Sequence, residues 1–162
     1  MRVEAFLLRI FKESAVKLED LVGHPRHLSG VDFSMFNVPR YDYEDGYDDV
    51  LDPCNTCSFI LDGQVYTCVE DPDDGYRSHL KLIFKGSIAV ANVFMPQEVR
   101  CAMRNNSKVD PDDYDYERGV ILDMIDTTTG KTILSVGTSN TDDYYPSYVA
   151  RFDPTAMAIN QE

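Results

Sequence analysis

Apolar residues recur at helical spacing near the start of the chain: Val3, Phe6, Leu7, Ile10, Leu18 and Leu21 fall on one face. Ser14 and Lys17 interrupt that face. Gly23 and Pro25 then close the segment as a helix stop. The pattern predicts one N-terminal helix over residues 1–23, with a short strand through Phe6–Phe11 as the alternative. Residues 24–53 contain Pro25, Gly30, Pro39, Gly46 and Pro53 and read as a long loop. From Cys54 the period changes to two. CSFIL, Asp62-Gly63 and QVYTCV form the clearest hairpin, because Asp-Gly between β-formers selects a type I′ turn. That turn pairs Leu61 with Gln64, Phe59 with Tyr66 and Cys57 with Cys68.

Further strands are predicted at His79–Phe84 and Ser87–Phe94, joined at Lys85-Gly86. Two more, Gly119–Ile125 and Lys131–Val136, are joined by the turn DTTTG. Tyr148–Phe152 reads as an edge or closing strand. The expected fold is a single mainly β domain. It is an antiparallel sheet, sandwich or half-barrel of about seven short strands over residues 54–153, with the N-terminal helix packed on it and a tail at 154–162. Thr127–Thr132 ends in the GKT of a phosphate-binding loop, but Ile125 stands where that loop needs its first glycine, so it reads as a turn.

Composition narrows the function classes. The chain has 162 residues, is 43% hydrophobic and has a net charge of −13. A packed core is within reach at this length. The 15 basic residues are scattered, which argues against direct binding to nucleic acid or to an anionic membrane. The longest apolar runs, Ala5–Leu8 and Ile88–Ala91, are far short of the ~18 residues that span a bilayer. A soluble, cytoplasmic protein is expected.

The acidic residues are clustered. Tyr41–Asp52, Glu70–Asp74, Asp110–Glu117 and Asp142–Asp143 hold 17 of the 28. Tyrosines are interleaved with them. The candidate partner-binding residues are Tyr41, Asp42, Tyr43, Glu44, Asp45, Tyr47, Asp48 and Asp49; Asp112, Asp113, Tyr114, Asp115 and Tyr116; and Asp142, Asp143, Tyr144 and Tyr145. Carboxylates can pair with arginines on a partner, and tyrosine rings add buried area and cation–π contact. The expected partner is a basic protein, in the sharper form a nucleic-acid-binding protein whose cleft is occupied by a mimic of the phosphate line. Acidic decoys of viruses and mobile elements share this composition, though no motif. The bland reading of the same segments is a solvated surface that keeps the domain soluble.

Other chemistries have thinner signals. Cys54, Cys57, Cys68 and Cys101 contain one C-x-x-C pair, a weak zinc candidate beside buried reduced thiols or a Cys57–Cys68 disulfide. Calcium loops starting at Asp71 or Asp110 lack the required glycine and glutamate spacing, although an irregular loop site for calcium or a small ligand is the main alternative function. His24, His27 and His79 are the only histidines. A small hydrolase, the second alternative, would need all three, or two of them with a carboxylate, in a single cleft. No cofactor is expected, and a non-enzymatic role is preferred over an enzymatic one.

Overall fold

The computed structural model describes residues 14–42, 46–70, 79–86, 90–105, 119–139 and 147–159; of residues 36, 38–42, 46–52 and 81 it fixes the backbone only. Eight strands form one antiparallel sheet: β1 (Arg26–Asp42), β2 (Gly46–Leu61), β3 (Gln64–Glu70), β4 (Leu80–Lys85), β5 (Val93–Asn105), β6 (Val120–Asp126), β7 (Thr132–Ser139) and β8 (Ser147–Phe152). Their order across the sheet is β4-β3-β2-β1-β5-β6-β7-β8. The Asp-Gly hairpin has the predicted register, including Phe59 opposite Tyr66 and Cys57 opposite Cys68. Asp62 and Gly63 both have positive φ, 52° and 76°, as a type I′ turn requires. β8 is an edge strand, and Thr127–Thr129 is a turn between β6 and β7, both as expected.

Three expectations are corrected. The segment read as a long loop, 24–53, instead carries β1 and half of β2, paired from Leu28↔Leu61 to Asp42↔Gly46, with residues 43–45 outside the described ones. Its prolines do not break the ladder because of where they sit. Val31 N–H donates to Asn92 O at 3.1 Å, away from β2. Alternation along the strand gives Asn37 and Pro39 the same outward direction, and Pro53 lies directly opposite Asn37. Neither proline therefore lacks a donor that the β1–β2 ladder needs.

The N-terminal helix is, in its described part, a single 3₁₀ turn at Leu18–Leu21 that buries both leucines. Before it the chain is extended. Ala15 bridges to Phe84, Val16 N–H donates to Ile83 O, and Lys85 N–H donates to Ser14 O. Pairing with β4 satisfies backbone groups that a helix would have paired internally, and two leucines three apart need only one tight turn to face the same way. Residues 1–13 of that expectation lie outside the described residues.

The hairpin expected at Lys85-Gly86 is absent: β4 pairs with β3, whereas β5 pairs with β1 and β6. The connection from β4 to β5 must therefore pass over β3, β2 and β1. Gly86 sits against β3, where its N–H donates to Val65 O and its carbonyl accepts from Thr67 Oγ1. Val90 and Asn92 sit against Gly30 of β1, where an added Cβ would lie 3.1 Å from Val90 Cγ1 and 2.9 Å from Ile60 Cδ1. A side chain at Gly30 would have to displace both of those side-chain ends.

The sheet is strongly curled. Leu80 N–H on β4 donates to Thr138 Oγ1 on β7 at 3.0 Å. Six strand spacings separate these strands, which is ~29 Å in a flat sheet. The curl encloses one face. Leu28, Val31, Cys57, Phe59, Leu61, Tyr66, Cys68, Val99, Cys101, Leu122, Met124, Leu134 and Val136 form the core there, with Leu18, Leu21 and Ala156 added from the 3₁₀ turns. Phe94 of β5 stacks on Phe152 of β8 with centroids 5.9 Å apart. Full burial of each large apolar side chain contributes roughly 1.5–3 kcal/mol. A smaller cluster, Cys54, Val69 and Phe84, is buried on the opposite face. Among the described residues no helix is long and apolar enough to cross a membrane.

Past β8 the chain is tied down by one carboxylate. Asp126 is 1% exposed. Its Oδ1 accepts from Thr128 N–H and Thr129 N–H at 2.8 Å each, and its Oδ2 from Ala158 N–H at 3.2 Å. Thr129 Oγ1 donates to Ala156 O at 2.7 Å. Asp153 caps the second 3₁₀ turn, Pro154–Ala156. Burial alone would push the Asp126 carboxyl up; the donors of Thr129, Ala158 and Thr128 outweigh it and hold the pKa below its ordinary value.

Two stability effects follow from these contacts. At Gly137, φ is 151° and an added Cβ would lie 2.2 Å from Val120 O. Gly137→Ala should therefore destabilise the protein by about 2–4 kcal/mol, read as a lower thermal midpoint. An unchanged midpoint would show that β6 and β7 are not so close. Asp126, with its depressed pKa, contributes stability that is present above the unfolded-state value and lost as pH falls through the folded one. Asp126→Asn should cost about 1–3 kcal/mol at neutral pH. The gap between variant and native protein, followed by denaturant titration, should close as pH drops below the carboxylate range.

Candidate functional site

The first acidic segment forms the far end of a two-stranded ribbon. β5 pairs with β1 only over Arg26–Gly30, and β3 pairs with β2 only over Thr56–Leu61. Beyond those limits, among the described residues, no further strand is paired with β1 or β2. Pro39 faces Leu51, Tyr41 faces Tyr47 and Asp42 faces Gly46, with a register shift between Pro39 and Tyr41. Asp48 and Asp49 are on β2. Tyr43, Glu44 and Asp45 lie outside the described residues. Closer to the sheet, Phe33 and Met35 of β1 are 48% and 62% exposed.

The curl gathers the roots of the other acidic segments at one margin. Glu70 ends β3 and accepts hydrogen bonds from the backbone N–H and the side-chain amide of Asn55 on the ribbon. Leu80, where β4 begins, is bonded to Thr138. Thr138 pairs with Tyr148 of β8, and the neighbouring Gly137 pairs with Ile121 of β6. Val120, next to Ile121, pairs with Asn105 of β5. Leu80, Thr138, Val120 and Asn105 thus follow one another across β4, β7, β6 and β5 about one strand spacing at a time, while Glu70, where the connection 71–78 begins, is bonded to the ribbon. Asp112, Asp113, Tyr114, Asp115, Tyr116, Asp142, Asp143, Tyr144 and Tyr145 themselves lie outside the described residues, as do the candidate calcium positions Asp71 and Asp110. Negative charge carried on adjoining roots adds to one field.

The cysteines do not converge. Cys57 and Cys68 are opposite each other on the enclosed face, and Cys101 is on β5 in the same core. Cys54 packs on the other face with Val69 and Phe84. All four are buried, and none is in a disulfide. Burial, with the Asp32 charge, pushes Cys57 up to about 12. Burial pushes Cys68 well up too, with Cys57 adding to it. Cys101 rises to about 11, mainly by burial. Among the described residues no group of three His, Cys, Asp or Glu side chains is placed to hold a metal ion.

The histidines are also apart. His27 stands beside the Asp62-Gly63 turn, where its N–H donates to Asp62 Oδ1 at 2.9 Å and Arg26 pairs with Asp62 Oδ2 at 3.1 Å. His24 is exposed nearby in the chain. His79 precedes Leu80, which pairs with Glu70 at the opposite end of β3. A two-histidine cleft is not formed.

One polar arrangement went unread in the sequence. Asp123, Ser135 and Arg151 are in register on three adjacent strands. Arg104 holds Asp123 by two bonds, 2.8 and 3.1 Å, and Ser135 Oγ donates to the same carboxylate at 2.7 Å. Burial would raise the Asp123 pKa, but these donors and the Arg104 charge bring it below the ordinary value. With Thr132, Ile133 and Asp153 they line an open cleft of about 310 Å³. Its signal was Asp123 itself, a charge in the middle of the apolar strand VILDMID.

Comparison with protein-family models, with curated proteins and with solved structures returns no match.

The buried thiols give a direct check on the metal question. Iodoacetamide at mildly alkaline pH should leave all four cysteines unmodified in the folded protein and label all four after denaturation, with or without chelator. Labelling of the folded protein that begins only after chelation would point to a bound metal.

Proposed function

We propose that the protein is a non-enzymatic, acidic interaction module that engages a basic protein partner. In its sharper form it imitates the phosphate line of nucleic acid and fills the cleft of a nucleic-acid-binding protein. The observation that carries this reading is the shared margin: Leu80, Thr138, Val120 and Asn105 adjoin, and Glu70 is bonded to the ribbon at Asn55. Acidic segments rooted around a whole sheet would serve solubility. Segments rooted together concentrate charge where a partner can meet it.

The same reading takes the curled sheet as a half-barrel, since one continuous ladder of strands encloses the core, and sets the protein in the cytoplasm. Four cysteines without a disulfide suit a reducing compartment.

The test is affinity capture from host lysate at low salt, elution with rising salt and identification of the eluted protein. A basic nucleic-acid-binding protein should elute stoichiometrically at moderate salt and be displaced by its own nucleic acid. Replacing Asp42, Asp45, Asp48 and Asp49 together by Asn should weaken that complex by about 2 kcal/mol, roughly 30-fold in Kd at low salt. Undiminished affinity in this variant would remove the acidic ribbon from the reading.

A further inference from the structure

Among the described residues the edge of β1 beyond Val31 has no strand paired to it. In the sheet, β1 has β2 on one side and β5 on the other, but β5 departs at Val93, opposite Gly30. Among the described residues nothing pairs with that side of β1 after Val31 donates to Asn92 O. The register with β2 runs unbroken from Gly30 to Pro39. Backbone direction alternates along a strand, so Phe33, Met35 and Asn37 point their N–H and C=O groups the way Val31 does, outward. Pro39 would be next and has no N–H. The edge is therefore a short row of donors and acceptors from Phe33 to Asn37, ended by a proline. Phe33 and Met35, both largely exposed, flank this row with apolar side chains.

Natural sheets cover or blunt such an edge. The outermost strand β4 is treated that way: Ser14–Val16 covers it. Among the described residues nothing covers β1 beyond Val31. What would fit it is decided by charge. Between Val31 and Asn55 the sequence carries seven acidic residues and one basic residue, Arg40. A second copy would bring the same acids edge to edge on a protein of net charge −13. A basic strand would be attracted.

Resting on the interaction reading above, we propose that Phe33–Asn37 of β1 is a docking edge on which an extended, arginine- or lysine-rich segment of the partner adds as a further strand. Main-chain bonds to Phe33, Met35 and Asn37 set its register. Phe33 and Met35 contact its apolar side chains, and the acids of the ribbon pair with its cations.

The probe is a blocked peptide of alternating arginine and valine, compared with the same peptide N-methylated at every second residue, which keeps its charge and loses one hydrogen-bonding edge. The unmethylated peptide should bind, slow amide exchange at Phe33, Met35 and Asn37, and bind at least about tenfold tighter than the methylated one. Met35→Pro removes an outward N–H without touching the β1–β2 ladder and should weaken the unmethylated peptide by a similar factor. Equal binding of the two peptides, with no exchange protection on β1, would overturn the edge while leaving the charge reading standing. No binding of either would overturn both. Protection of the same amides that grows with protein concentration in the absence of peptide would assign the edge to a second copy and overturn the proposal.

Discussion

Five residues of β1, Arg26–Gly30, hold the two halves of the sheet together. Over Leu28–Gly30 the strand has β2 on one side and β5 on the other. Everything to the β4 side is built outward through β2 and β3, and everything to the β8 side through β5, β6 and β7. The joint is short, irregular at Leu28/Gly30, and passed at close range by the connection from β4 to β5. Its brevity frees the rest of β1 to leave the sheet as a ribbon. The lateral twist of the halves on either side of it lets their margins meet.

Local chemistry was legible in the sequence wherever the determinant is itself local. Asp62-Gly63 dictates a turn whose register propagates for six pairs, and the DTTTG turn is set by neighbours of Asp126. Non-local choices were not legible. Whether Lys85-Gly86 turns back or carries the chain over the sheet depends on whether β1 can accept β5, which no residue near Gly86 encodes. Residues 24–53 were misread because proline was taken as a breaker. In an edge ribbon, proline is harmless at every position whose N–H faces outward. Val31, Phe33 and Met35 did alternate with Asp32 and Ser34, and that period of two was the available signal. Of the apolar stripe, Leu18 and Leu21 are buried, and a single 3₁₀ turn suffices for them.

The candidate site divides along the same line. The acidic segments are visible in any reading of the sequence, because charge is a property of composition. Their common root is not, because it is a product of the curl: Leu80 and Thr138 are remote in sequence and at far sides of the strand order, yet hydrogen-bonded. The thiols illustrate the converse. The spacing of Cys54 and Cys57 suggests a pair, but three residues along a strand reverse the face, and the sheet sends one thiol to each side. Burial then leaves the thiols protonated and chemically quiet.

The covering of β4 by Ser14–Val16 bears on the order in which the molecule can be completed. The segment that seals this edge is made before any strand of the sheet, and Ala15 cannot find Phe84 until β1 to β4 have been synthesised and paired. A chain emerging from the ribosome therefore carries an unsatisfied extended segment through the assembly of four strands. It can close β4 only as a late step, against the entropy of a long loop. Until that closure the nascent sheet has an open edge at β4 in addition to the one along the ribbon. The interval between the two states is when the chain is most exposed to pairing with a neighbour of its own kind.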